Sequence, residues 1–365
     1  MRLTAEETAR AADFLTQAIA KLAQRPVRLM EVCGTHTVSI FRNGILQLLP
    51  PTVELVSGPG CPVCVTPNQY LDTAIAYSGR EDTILATFGD MLKVPGSQST
   101  LMAEKTQGAD IRIVYSPLES LTMARDNPEK AVIFLAVGFE TTAPTAAATI
   151  LQAAQQGLDN FFVLSAHKLV PPALRTILAA PDIRVDGFLL PGHTAAISGF
   201  APYQFVVSEY QVPAVITGFE ALDILQAIYM LLAQIAAGKA ELANQYRRVV
   251  KPAGNEAAWN ILQQVYQPAA AIWRGFGEIA DSGLALRPEY SAFDAKLRLP
   301  LAAVVTREPA GCRCGEVLCG RIRPKDCPHF GHSCTPEHPV GACMVSVEGA
   351  CAAWYKYGQG RWNYA

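Results

Sequence analysis

Eight short runs of Val, Ile, Leu and Phe recur between longer Ala- and Leu-rich stretches, and this alternation constrains the fold more than any other feature of the chain. The runs cover 27–32, 53–56, 83–87, 111–115, 131–137, 161–164, 187–190 and 214–217. Most lack the apolar–polar alternation of a strand wet on one side, so they read as strands covered on both faces. Strands alternating with helices then imply parallel sheets in α/β domains. An opening helix over 5–23, with Thr4 as N-cap and Glu7 completing a capping box, places Ala11, Phe14, Leu15, Ala18, Ile19 and Leu22 at helical spacing on one buried face. A second long helix starts near Glu220.

The residues that follow the runs carry the chemistry: CGTHT at 33–37, SGPGCPVC at 57–64, FGDM at 88–91, GFETT at 138–142, SAHK at 165–168 and PGHT at 191–194. Ligands of open parallel sheets bind outside the carboxyl ends of the strands, so these groups share one edge. Two parallel-sheet α/β domains facing a central cleft fit the pattern, followed by a cysteine-rich region. A length of 365 residues, at about 150 per domain, agrees with divisions at 1–120, 121–250 and 251–365.

Composition narrows the partners. Thirty Lys plus Arg against 32 Asp plus Glu give a net charge of -2, which leaves no electrostatic footprint for nucleic acid. The most apolar stretch, 219–238, is broken by Glu220, Asp223, Gln226 and Gln234, so no membrane span is expected. No apolar targeting segment opens the chain, and a cytoplasmic location is expected.

Ten cysteines in a reducing compartment point to metal or redox chemistry rather than structural disulfides. Cys33, Cys61 and Cys64 form one group, and seven more lie between 312 and 351. Cys33 follows a strand directly, with His36 within reach to orient the thiol or accept its proton. Cys61 and Cys64 have the spacing to chelate one metal or to form a reversible disulfide. Three thiolates beside a histidine suit zinc, iron or copper, and spacing alone does not choose among them. Asp90, Glu140, Thr141, Thr142, His167 and His193 end other strands on the same edge.

The motifs EVCGTHT at 31–37, GPGCPVC at 58–64, FGDMLKVPG at 88–96, GFETTAP at 138–144 and PGHTAAISG at 191–199 resemble those of the HypD family, scaffold proteins of NiFe-hydrogenase maturation. The carboxyl-terminal run through CRCGEVL and CPHFGHSCTPEHPVGACMVSVEGAC is similar as well, although Thr194 and Ala195 depart from the family's form. The resemblance implies a scaffold on which an Fe(CN)2CO moiety is built, in complex with HypC and with cyano groups delivered by HypE. It implies iron held by Cys33, Cys61 and Cys64. It further implies a 4Fe–4S cluster on Cys312, Cys327, Cys334 and Cys351, four thiolates being what such a cluster needs. Cys314, Cys319 and Cys343 are then left over, and zinc on Cys327, His329, His332 and Cys334 is the competing assignment. A cluster beside a C-x-x-C pair resembles ferredoxin:thioredoxin reductase and implies electron delivery to the dithiol. A stand-alone thiol-disulfide oxidoreductase using Cys61 and Cys64 is the alternative.

Overall fold

The computed structural model describes residues 4–358. Residues 1–3 and 359–365, the outer ends of the first and last sequence divisions, lie outside the described residues. Among the described residues eleven strands run in chain order: β1 Val27–Glu31, β2 Val53–Ser57, β3 Thr83–Thr87, β4 Ile111–Ile113, β5 Ala131–Gly138, β6 Phe161–His167, β7 Gly187–Pro191, β8 Ala214–Thr217, β9 Leu242–Asn244, β10 Tyr266–Trp273 and β11 Gly277–Leu286. The first eight are the expected ones. With β9 they build two all-parallel sheets, β2-β1-β7-β8-β9 and β4-β3-β5-β6, beside an antiparallel hairpin of β10 and β11.

Strand order groups the chain differently from the division near residue 120. That division falls between β4 and β5, which share the second sheet through β3. The chain leaves the first sheet after β2, builds the whole of the second, and returns at β7. Local periodicity identifies a strand but not its neighbour, which is why this interleaving was not read from the chain.

Alternate side chains of each strand enter different apolar layers, because successive residues point to opposite faces. In β1, Leu29 joins Ile19, Leu189 and Ile224 on the outer face of the first sheet, while Met30 points inward. In β5, Phe134 joins an outer layer with Ile150, and Ile133 and Leu135 point inward. The inner faces of both sheets share one continuous apolar cluster, which also takes in Cys314, Cys343 and Cys351.

The opening helix Ala5–Leu22 has the expected capping box between Thr4 and Glu7. Ile19 is its buried anchor, but Phe14 is 70% exposed and does not belong to the buried face. The helix Ala221–Ala236 begins at Glu220 with a second capping box, through Asp223. No helix among the described residues is long and apolar enough to cross a membrane.

Truncating Leu135, which is fully buried, to Ala is expected to lower unfolding free energy by about 2–5 kcal/mol. Phe14→Ser is expected to stay within about 0.5 kcal/mol of wild type. Urea titration of both variants checks the layer assignment.

Candidate metal and thiol sites

Parallel pairing of β1 with β2, in register from Val27 with Val53 to Glu31 with Ser57, delivers both amino-terminal cysteine turns to one end of the first sheet. Cys33 caps the helix Gly34–Arg42, and Cys61 caps the short helix Pro62–Val65. The turns interlock: the Gly34 N–H donates to the Gly60 carbonyl at 2.9 Å, and a Cβ on Gly60 would collide with the Cys33 main chain. β1 lies between β2 and β7, where the order of the sheet reverses, which is the crevice where ligands of such sheets bind.

Cys61 and Cys64 form a disulfide with Cα atoms 5.2 Å apart, and Cys61 Sγ also accepts the Cys64 N–H at 3.2 Å. Cys33 is a free, buried thiol, pushed up to about 12 by burial and by the neighbouring Glu348 and Glu31 carboxyls. The three cysteines are 8%, 3% and 0% exposed.

The His36 imidazole is bonded to the loop after β8. Its Nε2–H donates to the carbonyls of Gly218 at 3.0 Å and Thr217 at 3.3 Å, and Nδ1 has no hydrogen-bond partner. Burial pushes it down to about 4, so the ring is neutral. Phe219 is stacked between His36 and His193, with centroids 4.8 and 3.7 Å away. Glu140 is buried and pushed up to about 7 by burial; its Oε1 accepts the Val170 N–H and its Oε2 has no partner. Asp90 and Thr141 are exposed and Thr142 is half-buried.

Three residues escaped the sequence reading. Glu31 accepts the Cys33 N–H at 3.0 Å and the Thr37 hydroxyl, and burial pushes its carboxyl up to about 8. A carboxylate ending an apolar strand was the available signal. Glu348 accepts the Thr35 hydroxyl at 2.6 Å, which pins the carboxyl-terminal segment over the Cys33 turn. Arg274, 6% exposed, donates to the carbonyls of Cys64 at 3.1 Å and Thr66 at 2.8 Å, to Asn68 Oδ1 at 2.7 Å and to Glu308 Oε2 at 2.9 Å. Nothing local in the sequence links Arg274 to the C-x-x-C turn.

Six of the seven carboxyl-terminal cysteines line one small cavity: Cys312, Cys314, Cys327, Cys334, Cys343 and Cys351. A Cβ on Gly341 would reach within 2.7 Å of Cys312 Sγ, so that glycine leaves room for the sulfur. Cys314 and Cys343 stand with their Sγ atoms 2.8 Å apart, and hydrogen bonds from Cys312 and Cys343 hold the Cys314 thiol down. Cys319 is turned out of the cavity toward the Gly275 carbonyl. His329 also lines the cavity, but its ring nitrogens bond Ser333 and the Ala310 carbonyl. Among the described residues no three His, Cys, Asp or Glu side chains converge on a single ion position. A four-iron cluster binds thiolates at separate irons, so its ligands ring a volume rather than a point, and the all-sulfur donor set around this cavity fits such a group.

The two cysteine groups, remote in sequence, are neighbours in space. The helix Pro62–Val65 packs directly against Cys314–Leu318 and Ala342–Val345, which carry Cys314 and Cys343.

A family model described as "Hydrogenase formation hypA family", HypD, matches residues 10–358. The chain is 47% identical to "Hydrogenase maturation factor HypD" of Rhodobacter capsulatus over 360 residues, 97% of this chain and 94% of that protein. It is 46% identical to the factor of the same name from Escherichia coli strain K12, over 92% of this chain and 91% of that protein. It is also 46% identical to "Hydrogenase expression/formation protein HupD" of Azotobacter chroococcum, again over 92% and 91%. With likeness along nearly its whole length, the chain belongs to the HypD family of hydrogenase maturation factors.

Proposed function

We propose that this maturation factor holds iron as its substrate at Cys33, Cys61 and Cys64 while the Fe(CN)2CO moiety is assembled, with HypC completing the site and HypE donating cyano groups. The observation that carries this reading is the packing of the C-x-x-C helix against the helices of Cys314 and Cys343, beside a cavity ringed by cysteines. Thiolates are soft, electron-donating ligands suited to iron that carries cyanide and carbon monoxide. To ligate, Cys61 and Cys64 must first be reduced: the S–S bond takes up two electrons and two protons and opens to two thiols.

Cys312, Cys327, Cys334 and Cys351 would hold a 4Fe–4S cluster, which supplies single electrons when bound. Cys314 and Cys343, on helices packed against the C-x-x-C helix, would serve as the two-electron partner of the C-x-x-C pair. Their thiols, giving up two protons and two electrons, close a disulfide as the Cys61–Cys64 bond opens by thiolate attack. Glu31 fixes the Cys33 main chain, and Glu348 holds the turn against the carboxyl-terminal segment. His36 braces Gly34–Arg42 on the loop after β8 rather than serving as a base for Cys33.

Anaerobic purification with iron counting and infrared spectroscopy tests this reading. Iron beyond the four atoms of one cluster, with cyanide and carbonyl bands, is the expected result. Cluster iron alone, with turnover of a diffusible disulfide, would instead establish the stand-alone oxidoreductase, and zinc without a chromophore would remove both.

A Cys33→Ala, Cys64→Ala double variant is expected to keep the brown cluster absorption and to lose the cyanide and carbonyl bands together with hydrogenase maturation. Loss of any one of Cys312, Cys327, Cys334 and Cys351 is expected to bleach the cluster, whereas Cys319→Ser leaves it. HypC must bring its own ligand within about 2.3 Å of a shared iron, a typical metal–sulfur distance. Hydrogen exchange with HypC is therefore expected to show protection at 31–37 and 58–64, and protection confined to residues beyond 251 would refute docking there.

A further inference from the structure

A cavity of about 590 Å³ lies between the carboxyl end of β6, the β10–β11 hairpin, the helix Asn68–Ser78 and the segment 294–304. Its volume is that of a small-molecule site. It is set apart from the thiols by its lining, which includes no cysteine. Its lining includes the SAHK sequence, 165–168, at the carboxyl end of β6, a motif the iron chemistry does not use.

Lys168 is the telling residue. It is only 3% exposed, yet among the described residues it forms no ion pair, and a second cation, Lys296, stands on the same cavity wall. Lys168 Nζ donates to the Ile272 carbonyl at 2.8 Å and lies 5.4 Å from the centroid of the Trp273 ring, which leaves donor capacity unused. A buried ammonium without a counter-charge is costly, and proteins ordinarily pair it. Beside it, His167 is 2% exposed with Nδ1 unpartnered. Two carboxylates also line the cavity. Asp294 is committed to the main-chain N–H groups of Lys296 and Leu297, at 2.8 and 3.4 Å. Glu278 is exposed on the hairpin.

We infer that this cavity binds a small oxyanion, a carboxylate or a phosphate, which completes the charge of Lys168 and bridges it to Lys296. The position agrees with the rule for parallel sheets, since both Lys168 and His167 stand at the carboxyl end of a strand. The bound anion would tie the hairpin to β6, which already meet at the Lys168–Gly283 bridge.

Isothermal titration of the full-length protein with sodium phosphate, and separately with sodium acetate, tests the inference. Saturable binding of at least one anion is expected, and the preferred one identifies the phosphate or the carboxylate as the ligand class. Lys168→Met is expected to weaken that binding roughly tenfold, the scale of one charge-assisted contact. Lys296→Gln, at an exposed position that does not endanger folding, is expected to weaken it roughly threefold. Absence of binding by either anion overturns the inference. So does undiminished affinity in folded Lys168→Met, or in Lys296→Gln should the first variant not fold.

Discussion

The parallel pairing of β1 with β2 is the constraint on which the amino-terminal site depends. It brings two turns that are 28 residues apart in Cys33 and Cys61 to the same end of one sheet, and its register leaves them face to face. The Gly58 N–H then bonds the Glu31 carbonyl at 2.8 Å, and Gly60 closes onto Cys33 so tightly that no side chain fits between them. Glu31 owes its place to the same register: it ends β1 where its carboxyl can reach both the Cys33 main chain and Thr37. The thiols are thus positioned by backbone, which holds geometry better than a rotatable side chain.

The carboxyl-terminal segment is organised on other terms. Among the described residues it has short helices and turns but no strand, and its small cavity is ringed by six cysteines. Arg274 acts as the strut between the two regions. Its guanidinium satisfies two main-chain carbonyls and Asn68 in the interior, and removing it would leave those acceptors buried without partners, which costs more than the lost bonds themselves. Glu348 and Thr35 fasten the other side of the same junction.

What could be read from the chain followed what is local. Eight strands were legible because continuous apolar runs declare a two-faced strand within a few residues, and the capping box at Thr4 marks its helix as locally. The hairpin escaped because Ala269, Ala270 and Ala271 carry a helix-forming composition, and only the alternating burial of β10 discloses a strand. β9, with three half-buried residues, is too short to stand out. Phe14 was misplaced since helical spacing names a face without saying how far the neighbouring helix covers it. In the sites, cysteines advertise themselves by type and spacing. The bonding of the His36 ring to the loop after β8, the pairing of Cys314 with Cys343 and the reach of Arg274 depend on segments brought together only by tertiary structure.

The interleaving of the two sheets carries a consequence for how the molecule is made. β1 has a partner on one side as soon as β2 exists, but its other neighbour, β7, arrives about 130 residues later in synthesis. The second sheet, drawn entirely from 83–167, has all its strands in hand before β7 emerges. On a ribosome adding residues from the amino terminus, that sheet can close first, leaving the amino-terminal strand pair waiting with long-range contacts unmade. The turn of Cys33 and the C-x-x-C turn therefore stay uncovered until 312–351 has been translated and laid over them. During that interval the nascent thiols are open to stray metal and to oxidants, and the segment that encloses them is synthesised roughly 250 residues after them.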